Sequence, residues 1–168
     1  MQDIRIRPAT ESDGPALGRY GGALMRQHHD LDPPRFILTD RPEAGYGRYL
    51  VSRLDDPDAL VLVAERAGEV VGYVYAGLEP MSWMELRAAC GFVHDVYVDA
   101  GARGRGVGEA LVQAAIGWIA GRGQPRVVLW SAAGNQAAQR LFDRLGFRRT
   151  MVEMALELEG RGAGSARA

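Results

Sequence analysis

Lysine is absent from this chain, since all 20 of its basic residues are arginine. Chemistry that needs a lysine amine, such as Schiff-base formation or phosphate binding in a P-loop, is therefore excluded. Cysteine is almost absent as well, and the single Cys90 excludes an internal disulfide and a zinc site built on several cysteines. Cys90 is interpreted as a small core residue rather than as a nucleophile.

Long apolar runs and an excess of one charge are also missing. No run approaches the ~20 apolar residues of a membrane span, and residues 1–8 do not have the pattern of a signal peptide. The formal net charge of −1 gives no reason to expect a nucleic-acid or membrane surface. We therefore expect a cytoplasmic protein without a nucleic-acid or membrane partner.

Length and composition indicate one globular domain. The 168 residues are 47% hydrophobic and 24% charged, which is ordinary for a folded domain of this size. The last ten residues contain little but Gly, Ala, Ser and Arg. We expect a single domain over residues 1–158 and a flexible tail over residues 159–168.

Hydrophobic periodicity predicts alternating strands and helices. Strands are expected at 4–8, 60–65, 70–78, 91–98, 126–130, 147–149 and 151–158. Four helices are expected: after Thr10 or Ser12, through Tyr46 and Leu50, after Gly108, and from Asn135 to Gly146. The order predicts an α/β or α+β fold around one mixed sheet.

A glycine-rich turn follows the predicted strand at 91–98. Residues 103–108 read R-G-R-G-V-G and precede an amphipathic helix. Glycines permit positive φ and a concave row of N–H groups, while the helix N-terminus and two arginines add positive charge, so the turn is suited to phosphate. A Walker loop would need Lys-Ser/Thr where Val107 and Gly108 stand, and the Rossmann pattern would need glycine at Glu109. The turn can also be a plain tight connection.

Two segments of the chain resemble the GNAT superfamily of acyl-CoA-dependent N-acetyltransferases. The segment V-Y-V-D-A-G-A-R-G-R-G-V-G-E-A-L-V is similar to the acetyl-CoA segment of that family, and N-Q-A-A-Q-R-L-F-D-R-L-G-F is similar to its second conserved segment. The resemblance extends over about residues 4–158 and begins at I-R-P-A-T-E-S-D. It implies a mixed, mostly antiparallel sheet that splays between two parallel strands, flanked by about four helices.

The resemblance also implies where acetyl-CoA binds. The pantetheine arm would pair with the backbone of one strand, the pyrophosphate would sit on the glycine-rich loop, and a later helix would complete the cofactor wall. The residues implied are Val96, Tyr97 and Val98; Arg103, Gly104, Arg105, Gly106, Val107, Gly108 and Glu109; and Asn135, Ala138, Phe142 and Arg144. Asn135 is also interpreted as a helix N-cap, and both roles can hold together.

His94 and Asp95 are the candidate catalytic residues. An alkylamine has a pKa of ~10, so only about 0.1% is neutral at pH 7, and a base must remove its proton. His94 occupies the place where some members of the family have a glutamate base, and an imidazole suits that role. A local hydrogen-bonded role for His94 remains open. Alternation predicts that the two side chains lie on opposite faces, with Asp95 orienting His94 or holding structure.

Phe142 departs from the family pattern. Many members carry a tyrosine acid there, and phenylalanine donates no proton to the leaving thiolate. Water can protonate the thiolate instead, as can one of the three tyrosines Tyr73, Tyr75 and Tyr97, or no acid is needed. The departure also motivates an alternative function, a catalytically silent acyl-CoA-binding sensor. A phosphotransferase using the same loop is disfavoured by the absence of lysine and of metal ligands.

The acceptor site is expected in the first two helices, their loop and the segment before the central strand. The candidate substrate-binding residues are His28, Asp30, Glu79 and Trp83. Carboxylates there favour a cationic amine on a small molecule or peptide, although they can equally be solvated loop charges. No metal is expected, because adjacent histidines do not converge on one ion without further ligands. A homodimer would be common for the family.

Overall fold

The computed structural model describes residues 4–158. The elements, in chain order, are β1 (Arg5–Pro8), α1 (Gly14–Leu31), α2 (Pro42–Ser52), β2 (Ala59–Arg66), β3 (Glu69–Glu79), β4 (Cys90–Val98), α3 (Val107–Gly121), β5 (Val127–Leu129) and α4 (Gln136–Arg144), with short 3₁₀ helices at Glu11–Asp13 and Ala100–Ala102. No helix among the described residues is long and apolar enough to cross a membrane. The predicted tail, 159–168, lies outside the described residues.

One mixed sheet organises the fold, as the sequence predicts. Its order is β1-β2-β3-β4-β5, with antiparallel pairs throughout except the parallel pair of β4 and β5. Apolar side chains from both faces of the strands are buried, so helices cover both sides. α3 packs on one face through Leu111 and Ile119, while α1 and α2 pack on the other through Leu17 and Leu50.

Glycines let α1 and α2 approach each other closely. A Cβ placed on Gly18 would lie 2.5 Å from the backbone oxygen of Glu43, and one on Gly47 would lie 3.0 Å from that of Gly14. A Cβ atom does not approach a backbone oxygen as closely as 2.5 Å, so only glycine fits at position 18 in this arrangement. The two helices therefore form one closely packed layer over β3 and β4, and this layer covers the site described below.

The prediction of two C-terminal strands is wrong. Residues 147–149 and 151–158 pair with no strand, and Val152 and Met154 are more than four-fifths exposed. Alternating apolar residues form a strand only where a partner strand offers hydrogen bonds, and the neighbouring β5 has three residues. Ion pairs such as Arg35–Glu153 connect this segment to the rest of the chain instead.

Candidate active site

A bulge in β4 places His94 at the centre of the site. Tyr75 of β3 pairs with Asp95, whereas the next residue, Ala76, pairs with Val93, so His94 is the extra residue on β4. The bulge turns His94 and Asp95 towards the same face, the one covered by α1 and α2. The expectation that the two side chains lie on opposite faces is therefore wrong, because the bulge interrupts the alternation on which it rests.

His94 is held by a carboxylate and two rings. Its Nε2 lies 3.0 Å from Oε1 of Glu79, and its ring stacks on those of Tyr75 and Phe92, each with a centroid separation of 4.8 Å. A carboxylate can only accept, so Nε2–H donates and Nδ1 keeps the free lone pair. Burial lowers the pKa of His94, and the charges of Glu79 and Asp95 offset part of that shift. The side chain is 28% exposed, so a neutral imidazole remains accessible for proton removal.

Asp95 lies beneath His94 and is held by a tyrosine. The hydroxyl of Tyr73 donates to Oδ2 of Asp95 at 3.2 Å, and Tyr73 is fully buried. Burial raises the pKa of the Asp95 carboxyl, against the opposing effects of Tyr73, His94 and Tyr46. Burial also holds the pKa of Tyr73 well above its ordinary value, so its hydroxyl stays a donor. These contacts hold the Asp95 side chain next to the bulge residue His94.

β4 has an open edge directly after the bulge. β5 pairs with β4 only from Gly91 to Val93, and within residues 4–158 no strand lies on that side of β4 from His94 to Val98. Val96 and Val98 pack towards α3. The ring of Tyr97 stacks on Tyr20 of α1 with a centroid separation of 5.5 Å. Free backbone groups on this edge can pair with an extended ligand.

The glycine-rich loop lies at the end of this edge. Gly104 and Gly106 have φ values of +71° and +80°, and a Cβ at either would meet nothing within 4 Å, so the space above the loop is open. α3 begins at Val107, where the first-turn N–H groups have no intrahelical acceptor. Arg103 does not extend over the loop. Its Nε donates to the Val98 carbonyl at 2.9 Å and its guanidinium lies over the Tyr97 ring.

The resemblance assigns a pyrophosphate to the amides of this loop. Glu109 lies in the first turn of α3, where a backbone N–H has no intrahelical acceptor, and Arg105 directly precedes the N-cap residue Gly106. Gly108 differs from the other two glycines, because it is helical and its φ is not positive. A Cβ there would lie 3.3 Å from Leu141 of α4, so Gly108 serves the contact between two helices.

α4 forms the wall beside the loop. Oδ1 of Asn135 accepts from the backbone N–H of Ala138 at 3.2 Å, which confirms the N-cap interpretation of Asn135. Phe142 is 7% exposed, and its ring meets the edge of Phe147 at a centroid distance of 5.9 Å. Arg144 is exposed in the last turn.

The four predicted acceptor residues are only partly brought together. Glu79 contacts His94, and His28 lies near enough to affect the pKa of Asp95, which burial chiefly raises. Asp30 lines a groove of about 460 Å³ between α1 and Tyr97. Trp83 lies in the loop after β3, 78% exposed, and takes no part in the contacts described for His94.

Sequence reasoning missed the aromatic neighbours of His94. Tyr75 and Phe92 stack on its ring, and the edge of Trp130 meets Phe92. The hairpin pattern predicts Tyr75 in a strand but does not show which residue lies across from it. Only the bulge decides that register, and no residue type in the segment signals it. Within residues 4–158 no three His, Cys, Asp or Glu side chains are grouped as metal ligands.

Comparison with known proteins shows the family of the chain. The model of the Acetyltransferase (GNAT) family matches residues 24–147. An uncharacterised N-acetyltransferase of Methanocaldococcus jannaschii is 35% identical over 107 residues, which are 64% of this chain and 46% of that protein. A mycothiol acetyltransferase of Thermomonospora curvata is 34% identical over 164 residues, 92% of this chain and 51% of that protein.

A solved structure of an aminoglycoside N-acetyltransferase with CoA shares the fold. Its TM-score is 0.67 at 16% identity, and the match covers 95% of this chain and 97% of the other. The chain spans about half the length of the two curated relatives. With a mixed sheet open between β4 and β5 and a family match over most of its length, the chain belongs to the GNAT acetyltransferase family, a family of acyltransferases.

Proposed function

We propose that this chain transfers the acetyl group of acetyl-CoA to a primary amine of a small molecule or peptide, directly and within a ternary complex. The observation that carries the proposal is the bulge at His94, which sets an accessible imidazole at the point where β4 loses its β5 partner. The class of acceptor and the direct transfer within a ternary complex are inferences from this geometry.

The cofactor is proposed to lie along the open edge of β4. Val96, Tyr97 and Val98 would pair with the pantetheine arm, the amides from Gly104 to Glu109 would bind the pyrophosphate, and α4 would flank both. The matched aminoglycoside enzyme was solved with CoA, which supports the choice of cofactor. Acetyl-CoA, when bound, supplies an activated thioester, and no metal is needed for aminolysis.

His94 is proposed as the base. The acceptor arrives as an ammonium ion, and Nδ1 of His94, directly or through water, takes its proton so that the nitrogen lone pair can attack the thioester carbonyl. Glu79 then stabilises the imidazolium that forms, because its carboxylate lies 3.0 Å from Nε2. The same carboxylate, with Asp95, favours a cationic acceptor. Backbone N–H groups at the bulge can polarise the carbonyl.

Phe142 leaves the departing thiolate without a tyrosine acid on α4. The C–N bond would form as the thioester C–S bond breaks, and CoA would leave as a thiolate. The second proton of the nitrogen would pass to solvent water, so the proposed reaction does not depend on such an acid. The alternative that this departure raises is an acyl-CoA-binding sensor without turnover. We further propose a cytoplasmic setting and a single domain over residues 1–158, with a homodimer as one assembly the fold permits.

A panel of amines tests the proposal. Purified protein is mixed with acetyl-CoA and each amine, and both thiol release and the acetylated product are followed. Amine-dependent release with a matching product is expected. Binding of acetyl-CoA by calorimetry without turnover of any amine would support the sensor instead.

A further inference from the structure

Five side-chain rings form a continuous row across the site. We call it the aromatic row: Tyr49 of α2, Tyr75 of β3, His94 and Phe92 of β4, and Trp130 directly after β5. Successive centroids are 5.8, 4.8, 4.8 and 5.1 Å apart. The candidate base is the middle ring, so anything bound at His94 lies alongside the row.

The two ends of the row are exposed, whereas Tyr75 and Phe92 within it are buried. Tyr75 and Phe92 are 7% and 5% exposed, but Tyr49 and Trp130 are 49% and 69% exposed. Trp130 stands at 83° to Phe92 in an edge-to-face contact, and most of its surface is open to solvent. Tyr49 is held at 86° to Tyr75, and their hydroxyls are 3.2 Å apart. Both exposed rings are thus fixed by contacts with buried ones.

A fixed, uncovered aromatic face on either side of a base is suited to a flat ligand. Ring faces attract aromatic edges and ammonium groups, and they bury the C–H faces of saturated rings. A linear chain covers much less of such a face than a ring of the same carbon number. The carboxylate of Glu79 beside His94 adds the charge that draws the amine to the middle of the row.

We propose that the acceptor is a primary amine whose skeleton contains a ring, and that this ring rests on Trp130 while the amine lies at His94. The inference rests on the proposed function and specifies its substrate class. Trp130 is then a specificity-determining residue. The ring can be aromatic or saturated, because both present a flat face, and the experiment below separates the two.

The test compares amines of equal carbon number. Steady-state kinetics with acetyl-CoA are measured for cyclohexylmethylamine and for heptylamine, with benzylamine as the aromatic arm. For Trp130→Ala, kcat/KM for at least one ring amine is expected to fall about tenfold because KM for that amine rises. The kcat/KM for heptylamine is expected to stay within about threefold of wild type. Trp130→Phe should restore most of the loss. Which ring amine responds shows whether the preferred ring is saturated or aromatic.

Tyr49→Leu and Met154→Ala complete the design. Tyr49 lies at the other end of the row, beyond His94 from the proposed ring position, so Tyr49→Leu should leave the preference for ring amines unchanged. Met154 is 90% exposed and lies outside the row, so its variant should behave as wild type. Because Trp130 is 69% exposed, its replacement should leave the fold intact, and circular dichroism of the variants checks this.

Three results would overturn the inference alone, and a fourth would overturn the proposed function with it. If kcat/KM falls equally for ring and linear amines in Trp130→Ala, the indole of Trp130 is a general apolar surface rather than a site for a ring. A raised KM for acetyl-CoA with unchanged amine selectivity would assign the indole to the cofactor. Absence of turnover with every amine in the wild-type protein would defeat the proposed function as well, whereas turnover without ring selectivity defeats this inference alone.

Discussion

The imidazole of His94 and the carboxylate of Glu79 form a pair across the β3–β4 hairpin, with Nε2 and Oε1 3.0 Å apart. The bulge creates this pair, because it brings the extra residue of β4 onto the face that α1 and α2 cover. The pair fixes the tautomer of the imidazole and leaves Nδ1 as the ring nitrogen with a free lone pair. Several predictions about catalysis depend on this contact.

Glu79→Gln should shift the pH profile of kcat/KM. The negative charge of Glu79 raises the pKa of His94 against the larger lowering by burial, so removing the charge lowers that pKa further. The base is active when neutral, so the acid limb should move to lower pH and kcat should fall through loss of imidazolium stabilisation. Measuring kcat/KM for one amine as a function of pH shows where the acid limb lies. Movement of the acid limb to higher pH would exclude this role for Glu79.

Gly106→Ala should weaken acetyl-CoA binding. Its φ of +80° costs an alanine about 1–2 kcal/mol, which shifts the loop away from the conformation that presents its amides. Gly68, at +82° in the β2–β3 turn, is the matched control, because Gly68→Ala incurs the same strain at a position outside the loop. Calorimetry should show acetyl-CoA affinity reduced at least about tenfold for Gly106→Ala and unchanged for Gly68→Ala. Equal affinities would mean that this loop does not bind the cofactor.

Phe142→Tyr should leave kcat within about threefold of wild type, because the proposed reaction proceeds without a tyrosine acid. The ring is 7% exposed against Phe147, so the added hydroxyl should cost about 1–3 kcal/mol of stability if it finds no partner. Measuring kcat at several pH values checks the expected rate, and thermal unfolding checks the expected loss of stability. A tenfold gain in kcat would show that thiolate protonation limits the enzyme.

Gly18→Ala should destabilise the fold by more than 1 kcal/mol. Its Cβ would lie 2.5 Å from the Glu43 carbonyl, so α1 and α2 must separate. Gly45, also helical, has nothing within 4 Å of its Cβ position, and Gly45→Ala should stabilise by about 0.5–1 kcal/mol. Chemical unfolding of both variants measures the difference. A harmless Gly18→Ala would show that the contact between the helices can relax.

Local pattern and resemblance predicted most of the fold but less of the site. The hairpin of β2 and β3, the strand β4 and the helices α3 and α4 follow from periodicity and glycine positions, because each is set by its own residues. The C-terminal strands were predicted wrongly, since strand formation needs a partner that no local pattern contains. The contacts of His94 depend on the bulge, which is a property of two paired strands. Trp130, distant in sequence, could not be connected to His94 before the fold was known.

The pH dependence of kcat/KM for wild type and His94→Gln, with one turned-over amine, tests the central claim most directly. If His94 is the base, the wild-type profile should have an acid limb below pH ~6.5, because burial lowers the pKa of His94. His94→Gln should lose this limb and lower kcat by about 10²–10⁴, with acetyl-CoA affinity intact. An unchanged rate and profile in the folded variant would contradict the account and leave His94 a structural residue.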